Sequence, residues 1–177
     1  MFYSNTIFSS LGGLKPDMIT FLVGVVNFLG TFGGLYLLFN FGRRTIMLYV
    51  GSVMALVLVM VGYTSLKNAH FEGNQDDNHW TIPSLILVLL FIALFEFSSG
   101  PITWLYMAEI MQDKSVSVAT VLNWLVNLLI SLITPNLINK IGEDNIGYIF
   151  VAVGCTTTLG TLFVYAFMLE TKGLTPQ

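Results

Sequence analysis

The chain has 177 residues, of which 55% are hydrophobic and only 10% charged, with a formal net charge of −3. A soluble domain carries about a quarter charged residues, so a water-soluble globule is excluded, and the acidic balance speaks against a nucleic-acid partner. The single cysteine, Cys155, lies in an apolar run and has no second thiol to pair with, so it gives no information on redox compartment.

Five apolar runs are each long enough for the roughly 20 helical residues that a bilayer core of about 30 Å requires. They are Met18–Leu38, Thr45–Leu66, Pro83–Ile110, Val116–Ile138 and Ile146–Leu169. The pattern predicts an all-α, polytopic transmembrane bundle of five full spans. Residues 1–12 form a shorter apolar stub, read as a partial helix, and residues 13–177 form the five-helix unit. No basic region precedes an apolar core at the N-terminus, so no signal peptide is expected.

The first run places Thr20, Gly24, Asn27, Thr31 and Gly34 at alternating spacings of four and three, one helical face of small and polar residues. In lipid such a face packs on other helices or lines a cavity. The short turn that follows holds Arg43 and Arg44. If it is cytoplasmic, so are Lys114 and Lys172, while Lys15, Lys67 and Lys140 are outside. The second run is apolar nearly all round and is expected to face lipid. The loop after it carries His70, Glu72, Asp76, Asp77 and His79. It has no compact ligand spacing, so it reads as a solvated outer loop and no metal site is assigned.

The third run carries Glu96 among Phe, Leu and Ile. An ionisable group at that depth costs roughly 2.5–3.5 kcal/mol on insertion scales, and by default it marks a ligand or ion pathway. Further along, Gly100–Pro101 interrupts the helix, because proline removes a backbone hydrogen bond and clashes with the preceding turn. A bending point and a purely structural kink are both open at this stage. The fourth run shows a second polar face of Thr120, Asn123, Asn127, Ser131 and Thr134, and Pro135 is read as a simple kink. The fifth has a threonine cluster at 156–158 but no sustained polar face. Helices one, three and four are therefore expected inside, and two and five at the periphery.

Several segments share one likeness. FGRRTIM at Phe41–Met47, GPITWLYMAEI at Gly100–Ile110, NWLVN at Asn123–Asn127 and ETKGLT at Glu170–Thr175 occur in a fixed order, preceded by FYSNTIF at Phe2–Phe8. Together they resemble the C-terminal half of the sugar-porter branch of the major facilitator superfamily, helices seven to twelve. The resemblance implies that Glu96 and Trp104 contact sugar and that Asn27, Asn123 and Asn127 contact or surround it. The chemistry suits a polyol: a carboxylate accepts hydroxyl hydrogen bonds, an amide donates and accepts, and an indole offers an apolar plane with one N–H. It also implies a charge gate of Arg43, Arg44 and Glu109, joined by Glu170 and Lys172, and a hinge at Gly100 and Pro101.

Some positions depart from the family pattern. Phe39 stands where an acid is usual, Thr103 replaces a second proline, the glycine–proline run is shortened to Ser98–Pro101, and Leu169 replaces the proline before Glu-Thr-Lys-Gly. The stub before Gly12 covers about 17 Å as helix, too short to cross. The family's Gln-rich sugar motif and its N-terminal half are accordingly expected to be absent. Such transporters bind substrate between two halves and rock one against the other, so this chain alone is not expected to perform alternating access.

Two functions stay open. One is part of a hexose-type transporter in the plasma membrane, with a monosaccharide and an N-terminal half as partners. The other is a reduced, non-transporting homologue held as a structural subunit of an organellar complex, for example in the mitochondrial inner membrane. No cofactor is expected. No nucleophile–base pair or phosphate loop is present, so an enzyme is not expected.

Overall fold

The computed structural model describes residues 16–69, 80–142 and 145–173. The stub at 1–12, the FYSNTIF segment and the histidine-bearing loop lie outside the described residues. Six helices follow: α1 Pro16–Asn40, α2 Arg43–Ala69, α3 Thr81–Phe97, α4 Ser99–Ile110, α5 Asp113–Ile141 and α6 Ile146–Phe167. The third and fourth form one interrupted span, Ile82–Ile110, so among the described residues five segments are long and apolar enough to cross a membrane. The uninterrupted ones, 22 to 29 residues long, extend about 33 to 44 Å, more than a bilayer core demands. The all-α, five-span architecture read from the sequence is the one observed. Each span ends within a few residues of the charges and glycines that punctuate the runs. Gly142, for instance, closes α5 at φ +87° while its N–H donates to the Ile138 carbonyl, a left-handed position that suits glycine.

The expected ranking of inner and outer helices fails within this chain for the second and fourth spans, which exchange places, while the first and third remain more buried than the fifth. Buried residues make up 44% of the most apolar stretch of α2 and none of that of α5. The reason is steric rather than polar. In lipid the apolar effect does not distinguish one helix face from another, and small residues decide where backbones meet. Helices α2 and α6 run antiparallel and meet at glycines. A Cβ built on Gly62 would lie 2.7 Å from the Gly147 carbonyl oxygen, and one built on Gly147 only 2.5 Å from that of Gly62. Gly154 meets Leu58 and Val59, and Gly51 meets Thr161. The hydroxyls along this seam are satisfied inside their own helices: Ser52 donates to the Leu48 carbonyl, Thr158 to Gly154 and Thr161 to Thr157. A small groove of about 240 Å³, lined by Ser52, Leu56, Val59, Thr158 and Leu162 among others, runs along the same pair.

Helix α1 packs parallel on α3. Val23 is buried against Leu85, Val88, Leu89 and Ile92, and Gly30, Gly33 and Gly34 meet Glu96 and Phe97. The buried stripe of α1 is therefore rotated from the one the sequence pattern marked. Asn27 and Gly34 belong to both, while Gly24 and Thr31 are exposed. Helix α5 packs only slightly, with its largest contact on α4.

Candidate functional site

The charged cluster sits at one end of the bundle, where α1 ends, α2 begins, α4 ends and the chain leaves α6. Arg43 and Glu109 form an ion pair at 2.9 Å, with side chains 18% and 26% exposed. The second Glu109 oxygen accepts from the Thr171 hydroxyl. Glu170 does something different from pairing with a side chain: its Oε1 accepts from the backbone N–H groups of Arg43 at 2.8 Å and Lys172 at 3.1 Å. Arg43 is the first residue of α2, so this carboxylate caps a helix whose free N–H groups carry partial positive charge. The approach is so close that a Cβ on Gly42 would overlap the carboxylate, which explains a glycine at that position.

Arg44 turns to α6, its guanidinium donating to the Tyr165 carbonyl at 2.8 Å, a cation on the last turn of a helix. Tyr106 of α4 accepts the Leu169 N–H at 3.2 Å. Beneath the polar layer, Ile46, Ile102 and Met168 are buried together, packed by Leu37, Leu38 and Val164 among others. The structure thus brings together Arg43, Glu109 and Glu170, with Arg44 of α2 close by and bonded to α6. Tyr106, Tyr165 and Thr171 were not singled out from sequence.

The helix break lies at Ser98, three residues before Pro101. Ser98 has φ −128° and ψ −84°, outside helical values. Its N–H donates to Phe95 at 3.2 Å, and its buried hydroxyl donates to Leu94 at 2.9 Å. The offset follows from proline geometry: the ring at position 101 clashes with the carbonyl four residues earlier, that of Phe97, and offers it no donor.

Glu96 occupies the last turn of α3, half-buried, with its Cβ against Gly30 of α1. Asn27, also half-buried, lies one turn before Gly30 on the same stripe. Trp104 is 44% exposed, whereas Ile102, two residues away on the opposite side of α4, is completely buried. Asn123 and Asn127 are both exposed on α5, and the Asn127 amide donates to the Asn123 carbonyl at 2.9 Å. Glu96 and Asn27 therefore share the α1–α3 contact. Trp104, Asn123 and Asn127 lie on surfaces that the described chain leaves uncovered. Among the described residues no group of His, Cys, Asp and Glu could hold a metal ion.

Comparison with known proteins places these features in a family. The sugar (and other) transporter family matches residues 1–177. The chain is similar to the hexose transporter HXT10 of Saccharomyces cerevisiae, at 29% identity over 98% of this chain and 32% of that protein. It is similar to the facilitated trehalose transporter Tret1 of Drosophila erecta, at 34% identity over 99% of this chain and 20% of that one. Its fold is similar to that of the major facilitator superfamily proton:xylose symporter XylE, solved bound to 6-bromo-6-deoxy-D-glucose. There the TM-score is 0.83 and the identity 26%, over 99% of this chain and 37% of that one. The chain thus spans about a third or less of the length of these relatives. An apolar, glycine-seamed bundle with these matches along its whole length is a multi-pass integral membrane protein that belongs to the sugar transporter family of the major facilitator superfamily.

Proposed function

We propose that the chain corresponds to the C-terminal half of a hexose-type sugar transporter and supplies one wall of its sugar cleft. Glu96, Trp104, Asn27, Asn123 and Asn127 contact the sugar in this reading. The observation that carries it is Glu96 itself, a lone carboxylate within a membrane span, held at a helix crossing beside an amide-bearing stripe. Burial there is costly without a polar ligand or partner. The uncovered amides of α5 and the exposed indole of α4 offer the donors, acceptors and apolar plane that a pyranose uses. An N-terminal half opposite would complete the site.

Arg43, Arg44, Glu109 and Glu170 act as the gate at the membrane face, and Gly100 and Pro101, with the break at Ser98, act as the hinge. The gate links α2 to α4 and to the tail through one ion pair and a few hydrogen bonds. Exposed or partly exposed pairs of this kind contribute on the order of 1 kcal/mol or less each, a size that substrate binding can offset.

The test is binding and uptake of radiolabelled hexoses by proteoliposomes carrying the chain as isolated from its native membrane. Saturable binding, weakened at least tenfold but still measurable in Glu96→Gln, is expected. Absence of sugar binding, or binding unchanged by that substitution, refutes the reading. A non-transporting structural subunit is the second reading, favoured by Phe39, which stands 79% exposed beside the charge cluster. Stoichiometric copurification with proteins unrelated to transport would establish it.

A further inference from the structure

We infer that Gly30 is a positioning residue for Glu96: the missing side chain at this point of α1 sets where the Glu96 carboxylate sits. The inference deepens the sugar-binding reading and rests on it. Three glycines of α1 clasp the end of α3. A Cβ on Gly30 would lie 2.9 Å from the Glu96 Cβ and 3.4 Å from its Cγ. One on Gly34 would lie 2.6 Å from the Glu96 carbonyl oxygen, and one on Gly33 would meet the Phe97 ring at 2.5 Å. On the far side Gly100 approaches the carboxylate, with its own added Cβ 3.7 Å from Oε2. The acid is therefore fixed at its root by α1 and flanked at its tip by the start of α4.

The contact at Gly30 is with the root of the side chain, so rotation about the Glu96 torsions cannot relieve it. Ordinary carbon–carbon separation is about 3.5–4.0 Å. A methyl group at position 30 must therefore push α1 and α3 apart by roughly 0.5–1 Å at the acid. Misplacing a contact group by about 1 Å can cost up to about a hundredfold in function. Gly24, on the same helix, has nothing within 4 Å of an added Cβ and is the matched control.

The experiment measures equilibrium binding of a radiolabelled hexose to the chain purified from its native membrane, as wild type, Gly30→Ala, Gly24→Ala, Glu96→Gln and the Gly30→Ala/Glu96→Gln pair. Gly30→Ala is expected to weaken binding at least tenfold, Gly24→Ala to leave it unchanged, and the double variant to bind no worse than Glu96→Gln. Wild-type binding in Gly30→Ala, or a loss that adds fully to that of Glu96→Gln, overturns the inference while leaving the sugar reading intact. A second readout needs no sugar: the rate at which a hydrophobic carbodiimide labels Glu96, followed by peptide mass. A change of threefold or more in Gly30→Ala and none in Gly24→Ala is expected, and equal rates overturn the inference. Sugar binding unchanged by Glu96→Gln sinks the sugar reading alone, because the labelling arm still decides the positioning. If Gly30→Ala does not fold, moving the glycine across the contact in Gly30→Ala/Glu96→Gly is expected to restore a monodisperse protein. Failure to restore it also overturns the inference.

Discussion

The seam between α2 and α6 predicts a graded response to one small change, glycine to alanine. At Gly147 the added methyl would stand 2.5 Å from the Gly62 carbonyl oxygen and 2.5 Å from Leu66 Cγ. A backbone carbonyl cannot rotate aside, so the helices must separate by several tenths of an ångström. Overpacking of this kind costs typically about 1–3 kcal/mol. Opposing it is the helix propensity of alanine over glycine, about 0.8–1.0 kcal/mol. Gly160, on the same helix, has nothing within 4 Å and receives only the propensity gain. The difference between Gly147→Ala and Gly160→Ala therefore isolates the packing term, about 1–3 kcal/mol in favour of Gly160→Ala. Gly154, where the methyl meets Val59 Cγ2 at 3.0 Å, and Gly51, where it meets Thr161 Oγ1 at 3.2 Å, fall between, because these approaches are less close. Reversible unfolding in mixed micelles with increasing dodecyl sulfate gives the ranking. Equal stability of Gly147→Ala and Gly160→Ala, or a reversed order, would show that close backbone approach does not hold this pair together.

Two further outcomes follow from the charged end and the break. Pro101→Ala returns an N–H to the Phe97 carbonyl. Interior proline costs a helix about 3 kcal/mol, so amide exchange across residues 97–102 is expected to slow at least tenfold, and unchanged exchange would show that Ser98 packing alone fixes the break. Glu170→Gln keeps an acceptor for the Arg43 N–H but removes the charge at the start of α2, whereas Glu170→Ala removes both. Capping is worth about 0.5–2 kcal/mol, so exchange in the first turn of α2 should accelerate in the order wild type, Gln, Ala, and identical rates would refute the cap.

The span ends were legible in the sequence because charge cannot enter lipid cheaply: Arg43, Asp113 and Lys140 fall at or near helix termini. The inner and outer ranking was not legible. A polar stripe signals that a face needs a companion, but not that this chain provides it, and α5 shows the difference. The tight seam depends on Gly62 and Gly147, residues far apart in sequence whose pairing only the fold reveals. On α1 the small-residue pattern found the right helix but a face about 60° away, because Gly30 and Gly33 were passed over for Gly24 and Thr31. At the charged end the residue types were legible, but the bond from Glu170 to a backbone amide 127 positions away was not.

The seam also bears on biosynthesis. Helix α2 is made before α6, its partner and the last span of the described chain. Membrane proteins assemble from inserted helices, and chains emerge N-terminus first at about 5–20 residues per second. For the seconds in which the stretch between them is synthesised, the glycine track of α2 lies open in the bilayer. A message truncated before Ile146 would leave that track without the Gly147 and Gly154 surface that closes it.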